Sequence, residues 1–187
     1  MRIVAGRHRG RNIDVGADRA IRPTADRARQ ALFNILAHGP DYGSATGPLP
    51  HGVRVVDVFA GTGALGLEAL SRGAAHVTFI EVLCQAAVLI RRNAASLGEA
   101  DRVTIIRRDA CKPGPANAPC GLVLLDPPYR SGLAGPALIA LVANGWLAPG
   151  AIIVVELAAD EDLAPPLAFA AIEERRYGAA RFVFLKA

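Results

Sequence analysis

The chain has 187 residues, 52% of them hydrophobic and only 5% aromatic, which suits one domain with an aliphatic core and at most a short appendage. No apolar run is long enough to span a membrane, and Met1-Arg2-Ile3-Val4-Ala5-Gly6-Arg7 lacks the apolar stretch of a signal peptide, so a cytoplasmic location is expected. The net charge is +4, yet residues 1–37 hold eight arginines against three aspartates, a local excess of +5 that points to a polyanionic partner. Cys84, Cys111 and Cys120 are odd in number and too far apart for a zinc pattern, and His8, His38, His51 and His76 have no ligand spacing. Reduced thiols and no metal are expected.

Residues 1–15 read as a small basic hairpin turning at Gly6 and Gly10. After Pro23, apolar residues at helical spacing predict a helix over 24–36, capped by Thr24 or Asp26. This extension, 1–38, is followed by a Gly- and Pro-rich linker, 39–52, and then by the main body, 53–187. There, strands are predicted at 53–59, 76–81, 102–107, 121–126 and 151–156, with helices near 63–72, 83–97 and 132–145. Continuous apolar strands alternating with helices indicate an α/β fold whose parallel sheet is covered on both faces. Residues 168–175 and 180–186, separated by Tyr177-Gly178, look like a closing antiparallel pair.

The first predicted strand runs into Asp57-Val58-Phe59-Ala60-Gly61-Thr62-Gly63-Ala64-Leu65-Gly66, which satisfies GxGxxG. Such glycines allow close backbone approach by NAD, FAD or S-adenosylmethionine alike. Asp57 discriminates, because a carboxylate beside the turn repels a pyrophosphate and suits an ammonium group. Glu81 closes the next strand, placed for ribose hydroxyls, and Asp109 with Ala110 follows the third, placed for an adenine amine. The fourth strand ends in Asp126-Pro127-Pro128-Tyr129. Two prolines stiffen that turn and leave carbonyl oxygens as acceptors, Asp126 adds a carboxylate, and Tyr129 adds a flat ring. Together they suit a planar group bearing an NH2, such as a nucleobase. Arg7, Arg9, Arg11, Arg22, Arg27 and Arg29 are the candidate phosphate contacts.

With these motifs the chain resembles the class I S-adenosylmethionine-dependent methyltransferases that methylate amines. Arg7-His8-Arg9-Gly10-Arg11, Arg22-Pro23-Thr24 and Arg27-Ala28-Arg29-Gln30-Ala31-Leu32-Phe33-Asn34-Ile35-Leu36 are more specific, resembling the RsmD-like 16S ribosomal RNA guanine-N2 methyltransferases. The resemblance implies a Rossmann-like sheet of seven strands, mostly parallel with an antiparallel last strand, and a small amino-terminal extension. It implies S-adenosylmethionine bound by Asp57, Phe59, Ala60, Gly61, Thr62, Gly63, Glu81, Asp109 and Ala110. It also implies catalysis at Asp126, Pro127, Pro128 and Tyr129 on N2 of a guanine in small-subunit ribosomal RNA, within a partly assembled 30S particle. Two positions depart from the family pattern: Val82-Leu83-Cys84 replaces charged or polar residues, and Gln30 replaces a common glutamate. The rivals are a DNA adenine or cytosine N-methyltransferase, which usually needs a larger target-recognition segment, an NAD-dependent oxidoreductase, and a non-catalytic RNA-binding assembly factor.

Overall fold

Valine, isoleucine and leucine on consecutive positions give strands that are buried on both faces, and the chain covers them accordingly. The computed structural model describes residues 1–16, 26–44, 47–163 and 169–187. In chain order the elements are α1 (Asp26–His38), β1 (Gly43–Ser44), β2 (Gly47–Pro48), β3 (Arg54–Val58), α2 (Ala64–Ser71), β4 (His76–Ile80) and α3 (Cys84–Ser96). They continue with β5 (Val103–Ile106), β6 (Cys120–Leu125), α4 (Ala134–Ala143), β7 (Leu147–Ala158), β8 (Ala170–Tyr177) and β9 (Ala180–Lys186). The seven main strands run in the order β5-β4-β3-β6-β7-β9-β8, and only β9 opposes its neighbours. This is the sheet that the resemblance implies.

Alternation along each strand divides the core in two. Val55, Val77, Leu122, Leu124, Ile152 and Val154 face α1, α2, α3 and the amino-terminal segment. Val56, Val123, Leu125, Ile153 and Val155 face α4 and Trp146. Helix α2 is buried along all its eight residues, as an all-round apolar helix must be when it lies between a sheet and a second layer. Gly66 lets it lie close, since a Cβ there would come within 2.4 Å of the Phe79 ring.

The second layer is residues 1–16 with α1, whose Ile3, Ile13, Leu32, Phe33 and Leu36 enter the same core. The expected hairpin has one ladder bridge, Arg2 with Asn12, and is otherwise turn. It is held by charge. Glu68 of α2, fully buried, accepts the N–H groups of Val4 at 2.9 Å and Ala5 at 3.0 Å. It also pairs with Arg29 at 3.6 Å and Arg72 at 2.8 Å, and the Arg72 guanidinium stacks 5.0 Å from the Phe33 ring centre.

Several boundaries differ from expectation. Tyr177 belongs to β8, paired with Ala180, so the turn is Gly178-Ala179 rather than Tyr177-Gly178. Strand β7 begins early, at Leu147, because Leu147 pairs with Cys120 across a register shift. The 39–52 segment contains the β1–β2 pair, and its Tyr42 is buried with the ring 5.4 Å from that of Phe184. Thr24 as a cap and residue 168 as the start of the last pair lie outside the described residues.

Removing the Glu68 carboxylate takes one charge partner from the buried Arg29 guanidinium and leaves two backbone donors without their acceptor. Glu68→Ala should therefore cost about 3–5 kcal/mol in a denaturant titration, whereas Asp160→Ala, which breaks an exposed ion pair with Arg130, should leave the transition close to that of the parent.

Candidate functional site

The strand order reverses between β3 and β6, where β4 and β5 extend one way and β7 the other. A crevice for ligands opens at the carboxyl ends of strands at such a point. Both sequence motifs arrive there. The Asp126 N–H donates to the carbonyl of Val58 at 3.2 Å, so the Asp-Pro-Pro-Tyr turn lies directly beside the glycine turn.

On the β3 side the chain makes a tight turn in which Phe59 (φ 59°), Gly61 and Gly63 (φ 79°) all take the left-handed conformation. That conformation is costly for phenylalanine, so the backbone here is held by its surroundings. The Ala60 N–H donates to Ile80 at 3.3 Å, the carbonyl of buried Thr62 accepts from Asn93 at 3.3 Å, and Gly63 starts α2. Asp57 is buried and accepts the Gly66 N–H at 2.8 Å, which ties the strand end to the first turn of the helix. Burial pushes its carboxyl up to about 8, against the Gly66 hydrogen bond and aided by the negative charge of Glu81.

Glu81 spans the crevice wall. One oxygen accepts the Gly61 N–H and the other the Leu83 N–H, each at 2.8 Å, so it fixes the glycine turn and caps the start of α3. Val82 and Leu83 beside it are both exposed, the apolar substitution that the sequence showed as a departure. Asp109 is exposed and accepts the Cys111 N–H at 2.8 Å, while Ala110 is buried beneath it. The crevice is therefore walled by carboxylates of β3, β4 and the segment after β5.

In the tetrapeptide, Pro127 is buried and Pro128 exposed. The Pro128 carbonyl accepts the Ser131 N–H at 3.2 Å, so of the acceptors expected from the two prolines this one closes the turn. Arg130 continues the turn at φ 57° and is clamped by Asp160 and Glu161 of the loop after β7. The Tyr129 hydroxyl donates to Glu156 at 2.9 Å. Glu156, buried on β7, escaped the sequence reading even though it shares the signal of Asp57 and Asp126, an acid closing an apolar run.

The candidate phosphate contacts do not all reach the surface. Arg29 is fully buried, donating to Asp26 at 2.9 Å and to the Arg2 carbonyl, so its assignment to RNA is corrected: it is a core residue with no surface to offer a phosphate. Arg7 bonds the Leu70 carbonyl and the buried Glu99, and Arg11 bonds the Ser96 carbonyl. These carbonyls close α2 and α3, where the helix dipole favours cations. Both helix ends lie at the amino edge of the sheet, so the hairpin tip sits a strand length, roughly 15 Å, from the crevice. Arg7, Arg9, Arg11 and Arg27 are exposed, and Arg22 lies outside the described residues.

A family model described as Conserved hypothetical protein 95 matches residues 1–186. Ribosomal RNA small subunit methyltransferase D of Haemophilus influenzae is 36% identical over 182 residues, covering 95% of this chain and 89% of that protein. The protein of the same name from Escherichia coli is 39% identical over 157 residues, covering 83% and 74%. Among solved structures, the putative methyltransferase yhhF of Escherichia coli matches with a TM-score of 0.83 at 34% identity, over 100% of this chain and 97% of that one. A ribosomal protein L11 methylase of Lactobacillus delbrueckii, 15% identical with a TM-score of 0.58 over 73% and 70% of the two chains, shares the fold. The chain belongs to the Conserved hypothetical protein 95 family, that of the ribosomal RNA small subunit methyltransferase D proteins, and its sheet is the class I methyltransferase fold.

Proposed function

We propose that this protein methylates the exocyclic N2 of one guanine in small-subunit ribosomal RNA, using S-adenosylmethionine, with a partly assembled 30S particle as substrate. The observation that carries the reading is the adjacency of an Asp-Pro-Pro-Tyr turn and an acid-walled glycine turn at the point where the strand order reverses. The wall suits a ligand that presents donors: an ammonium group at Asp57, ribose hydroxyls at Glu81 and an adenine amine at Asp109. It repels a pyrophosphate, which disfavours a dinucleotide. Bound there, S-adenosylmethionine supplies an electrophilic methyl carbon on a sulfonium.

The nitrogen of guanine N2 is a poor nucleophile, since its lone pair is delocalised into the ring. Asp126 and the Pro127 carbonyl accept its two hydrogens, which favours a pyramidal nitrogen with the lone pair aimed across the crevice. Asp126 also faces the proton that must leave once the nitrogen is alkylated. Tyr129 stacks on the flipped base, and its hydroxyl bond to Glu156 keeps the ring from swinging away. Of the arginines, Arg9 and Arg27 are exposed for phosphates, and Arg7 and Arg11 hold the hairpin that carries Arg9.

Small subunits from a strain lacking the gene, incubated with labelled cofactor, should accept methyl groups at one guanine, and duplex DNA should not; labelling of DNA alone would overturn the reading. Asp126→Ala should lower turnover at least about a hundredfold with cofactor affinity nearly unchanged, measured by single-turnover transfer and calorimetry. A cation arriving at Asp57 favours its ionised form, so below about pH 8 cofactor binding should release a proton and tighten as pH rises. Calorimetry in buffers of different ionisation enthalpy measures that proton, and Asp57→Asn should abolish its release. Arg9→Ala should leave the melting temperature alone and reduce the salt slope of RNA binding by about 1.

A further inference from the structure

Asp126 has a second carboxylate at its side. The β6–β7 register pairs Leu124 with Val154 and Leu125 with Val155, so one step further brings Asp126 level with Glu156 on the adjacent strand. Leu124 and Val154 both point to the α1 and α2 face of the sheet, and by alternation Asp126 and Glu156 point there too. Neighbouring strands lie about 4.8 Å apart, which is the scale of a nucleobase edge. Glu156 is 5% exposed, and the Tyr129 hydroxyl, 2.9 Å away, holds one of its oxygens in place.

We infer that Glu156, fixed beside Asp126 and Tyr129, is the residue that selects guanine by accepting its N1–H while Asp126 accepts from N2. A carboxylate offers about four lone-pair positions, so one that accepts a tyrosine hydroxyl can accept from a base as well. Guanine is the base whose pairing edge presents a ring N–H next to an exocyclic amine. Adenine and cytosine present a ring nitrogen lone pair there, which a carboxylate repels, and uracil has no exocyclic amine. The role rests on the proposed function and supplies what the Asp-Pro-Pro-Tyr turn alone lacks, since that turn accepts from any amine.

The test uses an RNA fragment carrying the mapped target position, with guanine or 2-aminopurine there. The analogue keeps the N2 amine but has a lone pair at N1. The parent enzyme should prefer guanine by at least about tenfold in kcat/KM. Glu156→Gln retains an oxygen for the Tyr129 hydroxyl and gains an N–H for N1, so the preference should fall to about threefold or less, or invert. Glu156→Asp should keep the preference at reduced turnover, and Tyr129→Phe, which releases the Glu156 oxygen, should slow both substrates and lower the ratio by less than Glu156→Gln does. A parent ratio near one, equal losses on both bases in Glu156→Gln, or a ratio lower in Tyr129→Phe than in Glu156→Gln would each overturn the assignment. Failure of the proposed function itself reads differently, as a parent enzyme that methylates no guanine at all.

Discussion

The buried carboxylate of Glu68 is the interaction on which the arrangement turns. It lies in the middle of α2, between the sheet and the outer layer, where an unpaired charge would cost several kcal/mol. Two backbone N–H groups from the amino-terminal segment and two guanidinium groups from α1 and the end of α2 surround it. Those partners decide where the extension docks. Because α2 also begins at the glycine turn, the element that seats the outer layer is the one that carries the crevice wall.

The carboxyl edge of the sheet follows a single electrostatic plan. Asp57, Glu81, Asp126 and Glu156 come from four adjacent strands at the same edge, and the carboxyl groups of Asp57, Glu81 and Glu156 each accept from a backbone N–H or a hydroxyl. Burial is the main cause of the raised Asp57 carboxyl, and the negative charge of Glu81 adds to it. The proposed function would set a cationic ligand and a base rich in N–H groups against this edge. Arg2, Arg7, Arg9, Arg11 and Arg27 belong to the outer layer, as does Arg29, whose charge is spent on the core.

Most of the frame was legible in the sequence. An apolar run closed by an acid marked β3, β4 and β6 to within a residue or two, since strand burial and a ligand-facing end leave that pattern together. Glu156 closes Ile152-Ile153-Val154-Val155 in the same way, but no glycine turn or proline pair follows it to draw notice. Arg29, Glu68 and Glu99 were illegible for another reason. A charged residue on an amphipathic pattern reads as solvated, and only three-dimensional placement shows that a second layer of chain covers it. The bonds of Arg7 and Arg11 were equally hidden, because helix carbonyls attract a guanidinium as readily as phosphates do.

The partners of the first sixteen residues have a bearing on folding. Their side-chain bonds to Glu68, Ser71, Asn93, Ser96 and Glu99 span 63 to 91 positions of sequence. Those to Glu68 and Ser71 need only α2 in place, whereas those to Asn93, Ser96 and Glu99 wait for α3 and the turn after it. Loops this long close slowly. The outer layer is therefore seated in two stages, first on α2 beside the glycine turn and then on the end of α3, and its full set of bonds is a late product of folding.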